Sequence, residues 1–141
     1  MFEINTKFLV VDDSLTMRKI IKKVLEELSY KNITEAVDGK DAVEKLEANK
    51  AQGTPFDFII SDWNMPNMLG IDFLKYCRQS VDYKKIPFML VTAESEQSQI
   101  IDAAKAGVSE YIIKPFNAAT LKEKIGRVYT KVSAAQSAPK A

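Results

Sequence analysis

Five polar side chains in this sequence stand immediately after, or at the end of, short apolar runs, and together they could handle a phosphoryl group. Asp12 and Asp13 follow Phe8-Leu9-Val10-Val11, Asp62 ends Phe58-Ile59-Ile60-Ser61-Asp62, Thr92 follows Phe88-Met89-Leu90-Val91, and Lys114 follows Glu110-Tyr111-Ile112-Ile113. Each has an ordinary reading when taken singly. Asp12-Asp13 could be a solvated turn that caps a helix, Asp62 a strand-end turn residue, and Lys114 half of a structural ion pair. Their shared register is the informative feature. If the three carboxylates converge, repulsion raises some of their pKa values, and a hard divalent cation relieves it. Oxygen donors without Cys or His nearby favour Mg²⁺, with Mn²⁺ possible, over zinc. A lysine and a hydroxyl facing such a site would neutralise and hydrogen-bond a phosphoryl group. Asp62 sits centrally and alone on its loop, which makes it the best nucleophile for in-line attack and an aspartyl phosphate. The sequence contains no histidine, so the phosphoryl donor is expected to be another molecule.

For these residues to meet, the elements between them must stack the apolar runs side by side. Strands are expected at Phe8 to Val11, Ile33 to Ala36, Phe56 to Ser61, Phe88 to Val91 and Glu110 to Ile113. Between them lie patterns with three-to-four spacing. The first helix presents Met17, Ile20, Ile21, Val24, Leu25 and Leu28, and Ser14 or Thr16 caps it. Val37-Asp38-Gly39 reads as a turn before a helix with Ala42, Val43 and Leu46 inward, and Ala48 to Pro55 as a polar loop. Further helices are expected near Leu69 to Gln79 and Glu96 to Ala106, the latter ended by Gly107. A last helix carries Leu121, Ile125, Val128 and Val132, and Ser133 to Ala141 reads as a flexible polar tail. Five βα units with apolar strands predict an α/β fold with a parallel sheet covered on both faces. In such sheets ligands bind beyond the carboxyl ends of the strands, where the five polar residues fall.

Composition narrows the options further. The chain has 141 residues, the length of one ordinary domain, and 20 basic against 19 acidic residues leave a net charge of +1. That balance argues against a nucleic-acid binder. Cys77 is the single cysteine, which excludes an intrachain disulfide and fits a reducing compartment. No apolar run is long enough for membrane insertion. A cytoplasmic monomer is expected.

Four segments, VVDDS at 10–14, SDWNMPNM at 61–68, VTAE at 91–94 and YIIKPF at 111–116, resemble the motifs of response-regulator receiver domains, most closely those of the chemotaxis members. The resemblance runs to about Lys131 and places a receiver domain at residues 1–132. It implies a flavodoxin-like (βα)5 fold with strand order 2-1-3-4-5. It also implies that Asp62 accepts the phosphoryl group, and that Asp13, Asp62 and the Asn64 backbone carbonyl bind Mg²⁺ directly while Asp12 acts through water. Lys114 would contact the phosphoryl group, and Thr92 and Tyr111 would form a switch pair that reshapes the surface of the fourth helix, fifth strand and fifth helix. Asn64 and Glu94 would flank the attacking water and tune the lifetime of the phosphoryl group. A cis X–Pro bond occurs in about 5–6% of cases, so frequency predicts a trans Lys114–Pro115 bond, whereas the resemblance implies cis.

The implied partners are a chemotaxis-type histidine kinase, a flagellar motor switch protein and a dedicated phosphatase. Trp63, beside Asp62, is expected to be a partly exposed cover whose fluorescence reports Mg²⁺. Leu69 departs from the Asp often found there, and six basic residues against one acid between Lys114 and Ala141 bear on docking specificity. With no room for a DNA-binding output domain, docking is the expected mode of action. A phosphate-relay carrier or a regulator of another output remains open. So does a Mg²⁺-dependent aspartyl phosphohydrolase, although Asn64 stands where a second acid is needed. An FMN binder is opposed by the paired carboxylates of the first loop, which would repel a flavin phosphate.

Overall fold

The computed structural model describes residues 2–93 and 97–137. Five strands, β1 (Phe8–Val11), β2 (Ile33–Ala36), β3 (Phe58–Asp62), β4 (Phe88–Thr92) and β5 (Glu110–Ile113), alternate with five helices. These are α1 (Leu15–Glu27), α2 (Gly39–Ala51), α3 (Gly70–Gln79), α4 (Gln97–Ala106) and α5 (Ala118–Ser137). The sheet order is β2-β1-β3-β4-β5 and every pairing is parallel, as the sequence pattern and the resemblance together led one to expect.

The strands are apolar throughout because both sheet faces are covered. Leu9, Val11, Ile59 and Leu90 pack with Ala42, Leu46, Phe73, Leu74 and Ala103 from α2, α3 and α4. Their neighbours Phe8, Val10, Phe58, Ile60, Met89, Val91 and Ile112 pack on the other face with Ile21, Val24, Leu25, Leu121, Ile125 and Val128 from α1 and α5. Alternate side chains of one strand thus enter different cores.

Register then decides which strand ends become neighbours. Val11 lies opposite Ser61, Asp62 opposite Val91, and Thr92 opposite Ile113. The ladder continues past the strands, with the Trp63 N–H donating to the Val91 carbonyl at 2.9 Å and the Lys114 N–H to the Thr92 carbonyl at 2.7 Å.

Several local expectations are corrected. Strand β3 starts at Phe58 rather than Phe56 and includes Asp62. Helix α2 runs through Ala51, four residues into the expected loop, because Lys50 and Ala51 are good helix formers and the chain turns only at Gly53, whose φ is 74°. Asp38, read as a turn residue, is the N-cap of α2 and accepts from the Asp41 N–H. Ser14 caps α1 by accepting from the Met17 N–H. Ile20 is exposed rather than inward. Helix α5 passes the expected end at Val132 and continues to Ser137. The Lys114–Pro115 bond is cis, as the resemblance implied and frequency did not.

Candidate functional site

Helix α1 and strand β1 meet at Asp12. Its side chain is almost fully buried, and one oxygen, Oδ1, accepts from the Ser14 N–H at 2.8 Å. The Arg18 guanidinium holds the Asp12 backbone carbonyl at 2.7 Å and pairs with Glu35 at 3.1 Å, a brace that the sequence reading missed. Asp13 is exposed at the rim. Asp62 is buried at the end of β3, where its Oδ1 accepts from its neighbour's N–H, that of Trp63, at 2.9 Å.

One carboxylate oxygen from each of Asp12, Asp13 and Asp62 lies within 4.8 Å of the other two. Lys114 reaches across from the end of β5, its Nζ 3.1 Å from Asp62 Oδ1 and 3.6 Å from Asp12 Oδ2. Asp12 Oδ2 is buried without a hydrogen-bond partner. Three carboxylates therefore face one ammonium.

Burial is the main force on the pKa values here. It pushes Asp12 above the usual carboxylate range, and the charges of Asp62 and Asp13 push the same way; the Ser14 N–H and Lys114 pull it down without prevailing. Asp62 is also raised, first by burial and then by Asp13, against the pull of Lys114 and the Trp63 N–H. A carboxyl group whose folded pKa is raised loses stability for the fold as pH climbs through that pKa. The missing stability returns as pH falls toward the ordinary carboxylate value.

In the metal-free protein, Asp62→Asn is therefore expected to raise Tm at pH 7 by about 3 °C. Thermal unfolding followed across pH should show that gain shrinking as pH falls and vanishing near the ordinary Asp pKa of 3.8. A lower Tm for the variant at pH 7 would contradict this.

The donor set fits a small hard cation. Mg²⁺ takes oxygens at about 2.0–2.1 Å, so ligands on opposite sides of it stand about 4.2 Å apart, the scale already present among the three acids. The orphaned Asp12 Oδ2 supplies a further acceptor for a bound water or ion.

The other expected site residues surround this core. Thr92 is buried at the end of β4. It lines a cavity of about 10 Å³ together with Trp63, Gln99, Ile100, Ala103 and Tyr111. That volume is about that of one water, so a phenol ring can enter only if a wall moves. Tyr111 is half-buried, and Lys124 Nζ lies 5.3 Å from its ring centroid. Lys124 and Lys131 both pair with the buried Glu110, at 3.4 and 3.6 Å. The basic run at the end of the chain is thus largely neutralised, since Lys122 pairs with Glu27 and Arg127 with Glu123 as well. A carboxylate inside an apolar strand is the sequence signal for Glu110.

Trp63 corrects another expectation. It is 8% exposed and belongs to the core under α2, α3 and α4 rather than covering the site from outside. Asn64 is exposed on the loop that follows it. Glu94 lies outside the described residues. Gly70 closes this loop through its N–H, which donates to the Trp63 carbonyl at 2.8 Å. A Cβ at Gly70 would stand 2.0 Å from the Asp62 carbonyl oxygen, so only glycine lets α3 start this close to the acid.

Comparison with known proteins bears on the same residues. The response regulator receiver domain family model matches residues 8–126. Chemotaxis protein CheY-3 of Vibrio cholerae is 47% identical over 128 residues, which cover 91% of this chain and 95% of that protein. Chemotaxis protein CheY of Pseudomonas aeruginosa is 46% identical over 127 residues, covering 90% and 98%. Among solved structures, CheY4 of Vibrio cholerae aligns with a TM-score of 0.77 at 35% identity, over 88% of this chain and 98% of that one. A receiver domain from Francisella, of response regulator 1452, aligns with a TM-score of 0.77 at 30% identity, over 91% and 99%.

Proposed function

The chain belongs to the response regulator receiver domain family, and on that premise we propose that it is a chemotaxis switch that accepts a phosphoryl group on Asp62 and docks in response. The carrying observation is the convergence of Asp12, Asp13 and Asp62 on one point, with Lys114 Nζ 3.1 Å from Asp62. The relatives named for chemotaxis direct the choice of pathway.

In this reading Asp13, Asp62 and the Asn64 carbonyl would hold Mg²⁺, with Asp12 acting through water. The ion supplies charge neutralisation for an incoming phosphoryl group. Asp62 Oδ attacks phosphorus in line, forming the O–P bond as the bond to the donor's histidine nitrogen breaks. Lys114 exchanges its carboxylate partners for a phosphoryl oxygen, and the Thr92 hydroxyl donates to another. Displacement of Thr92 enlarges the cavity it shares with Tyr111 and lets the ring turn inward. The surface of α4, β5 and α5 changes shape as a result, a two-state element biased by a local charge. Asn64 and Glu94 flank the path of hydrolytic water and set the lifetime of the phosphoryl group, alone or with a dedicated phosphatase.

The partners are then a chemotaxis-type histidine kinase and a flagellar motor switch protein, met in the cytoplasm. Pulldown of motor switch protein with and without beryllofluoride tests the reading. Capture should rise about 5- to 150-fold with the phosphoryl mimic, the usual span of such couplings. Equal capture in both lanes, with Asp62 shown to be occupied, would reject the motor output and leave the relay carrier. Steady turnover of many phosphoesters would instead favour the phosphohydrolase.

A further inference from the structure

The loop between β3 and α3 carries Asn64, and something must hold it over the acid pocket. Its base is closed by the Gly70 N–H donating to the Trp63 carbonyl at 2.8 Å, and Met68 N–H bonds within the loop to the Pro66 carbonyl at 2.7 Å. Neither bond fixes the loop to the rest of the fold. Among the described residues, one hydrogen bond does so for residues 64–68. Asn67 Nδ2 donates to Asp38 Oδ2 at 2.6 Å, across 29 positions of sequence.

Both partners are built for this contact. Asp38 is buried at the N-cap of α2, where its other oxygen, Oδ1, accepts from the Asp41 N–H at 2.7 Å. The Asp41 carboxylate reaches back to the Val37 N–H at 3.0 Å and fixes the entry to the helix. Asn67 sits at φ 68°, a conformation that Asn tolerates better than most residues with a side chain. Next to the bond, Met68 lies on Gly39 so closely that a Cβ there would stand 2.7 Å from the Met68 Cβ. Hydrogen bond and close packing act side by side at one contact.

We infer that Asp38 is a positioning residue for the phosphorylation site, the clasp that holds the Asn64 loop in register with Asp12, Asp13 and Asp62 through Asn67. This rests on the proposed role of the Asn64 carbonyl as a cation ligand. Without the clasp the loop keeps only the packing of Met65 and Met68 between its ends, and the carbonyl must be ordered more fully at the moment of binding. That ordering costs affinity.

Two substitutions separate the clasp from the helix cap. Asp38→Ser and Asp38→Asn both remove the charge, and both residues are good N-caps. Asn is long enough to pair with an Asn67 amide turned end for end; Ser is too short to reach it. Hydrogen exchange of the 64–69 amides in metal-free protein is expected to be at least about tenfold faster in Asp38→Ser than in Asp38→Asn, with α2 equally protected in both. Mg²⁺ titration by Trp63 fluorescence should give a Kd about threefold weaker in Asp38→Ser than in Asp38→Asn. The exchange-neutral control is the reversed pair, Asp38→Asn with Asn67→Asp, which keeps the net charge and the hydrogen bond and should match the wild type.

Equal loop exchange in the Ser and Asn variants would overturn the inference. Faster loop exchange with an unchanged Kd would also overturn it, since the clasp would then hold a loop that the cation does not need. If the wild type itself shows no Mg²⁺ response, the metal reading has failed, and the exchange comparison still decides whether Asp38 holds the loop.

Discussion

Stripping divalent cations should slow phosphoryl transfer from acetyl phosphate to Asp62 by at least about a hundredfold, the usual cost of losing a main electrostatic stabiliser. The pocket itself gives the reason. Asp12, Asp13 and Asp62 bring three formal negative charges and Lys114 one positive charge to the same few ångströms. An anionic donor approaching that rim meets net repulsion. Burial intensifies it, because the field is less screened there than at the surface. Lys114 cannot cancel the deficit alone, since one ammonium stands against three carboxylates. Labelling rates with excess chelator, with Mg²⁺ and with Mn²⁺ would check this. Both metals should restore the rate, and a chelator-insensitive rate would refute the metal reading.

Lys114→Ala should split binding from signalling. In the resting protein Lys114 competes with any cation for Asp12 and Asp62, at 3.6 and 3.1 Å. Removing it deletes a like charge from beside the ion, so Mg²⁺ should bind about tenfold more tightly, a modest share of the full Coulomb energy at that range. Asp62 stays in place to accept phosphate. What is lost is the group that follows the charge from carboxylate to phosphoryl oxygen, so the gain in partner affinity on phosphorylation should largely disappear. Titration and pulldown on one variant would show both effects. Weaker Mg²⁺ binding, or an unchanged gain in partner affinity, would count against this role for Lys114.

The sheet and the acid pocket were readable from sequence because they depend on periodicity and position. Apolar runs such as Val10-Val11 and Ile59-Ile60 occur only where both sheet faces are buried, and residues just beyond them must share a rim. Asp12, Asp62, Thr92 and Lys114 follow from that rule. What escaped depends on contacts between distant residues. Asp38 read as a turn residue because Asn67, its partner, lies 29 positions away. Trp63 read as exposed because neighbouring Asp62 and Asn64 are polar, yet its ring is roofed by helices whose packing no local pattern records. The Arg18 brace likewise ties the Asp12 carbonyl to Glu35 of β2, 17 positions from Arg18. Helix α2 outruns its expected end because the stretch after Ala48 is polar like a loop yet carries Lys50 and Ala51, which favour helix. The cis bond before Pro115 was legible only through the family resemblance, since frequency points the other way.

The most direct test of the account is intact-mass and peptide-mapping mass spectrometry after acetyl phosphate and Mg²⁺, under cold neutral conditions that preserve acyl phosphates. One phosphoryl group should be found, on Asp62, absent when Mg²⁺ is withheld and absent from Asp62→Asn. A protein that stays unmodified, or that carries the group elsewhere, would contradict the claim that these three carboxylates and Lys114 form a phosphoryl-accepting site.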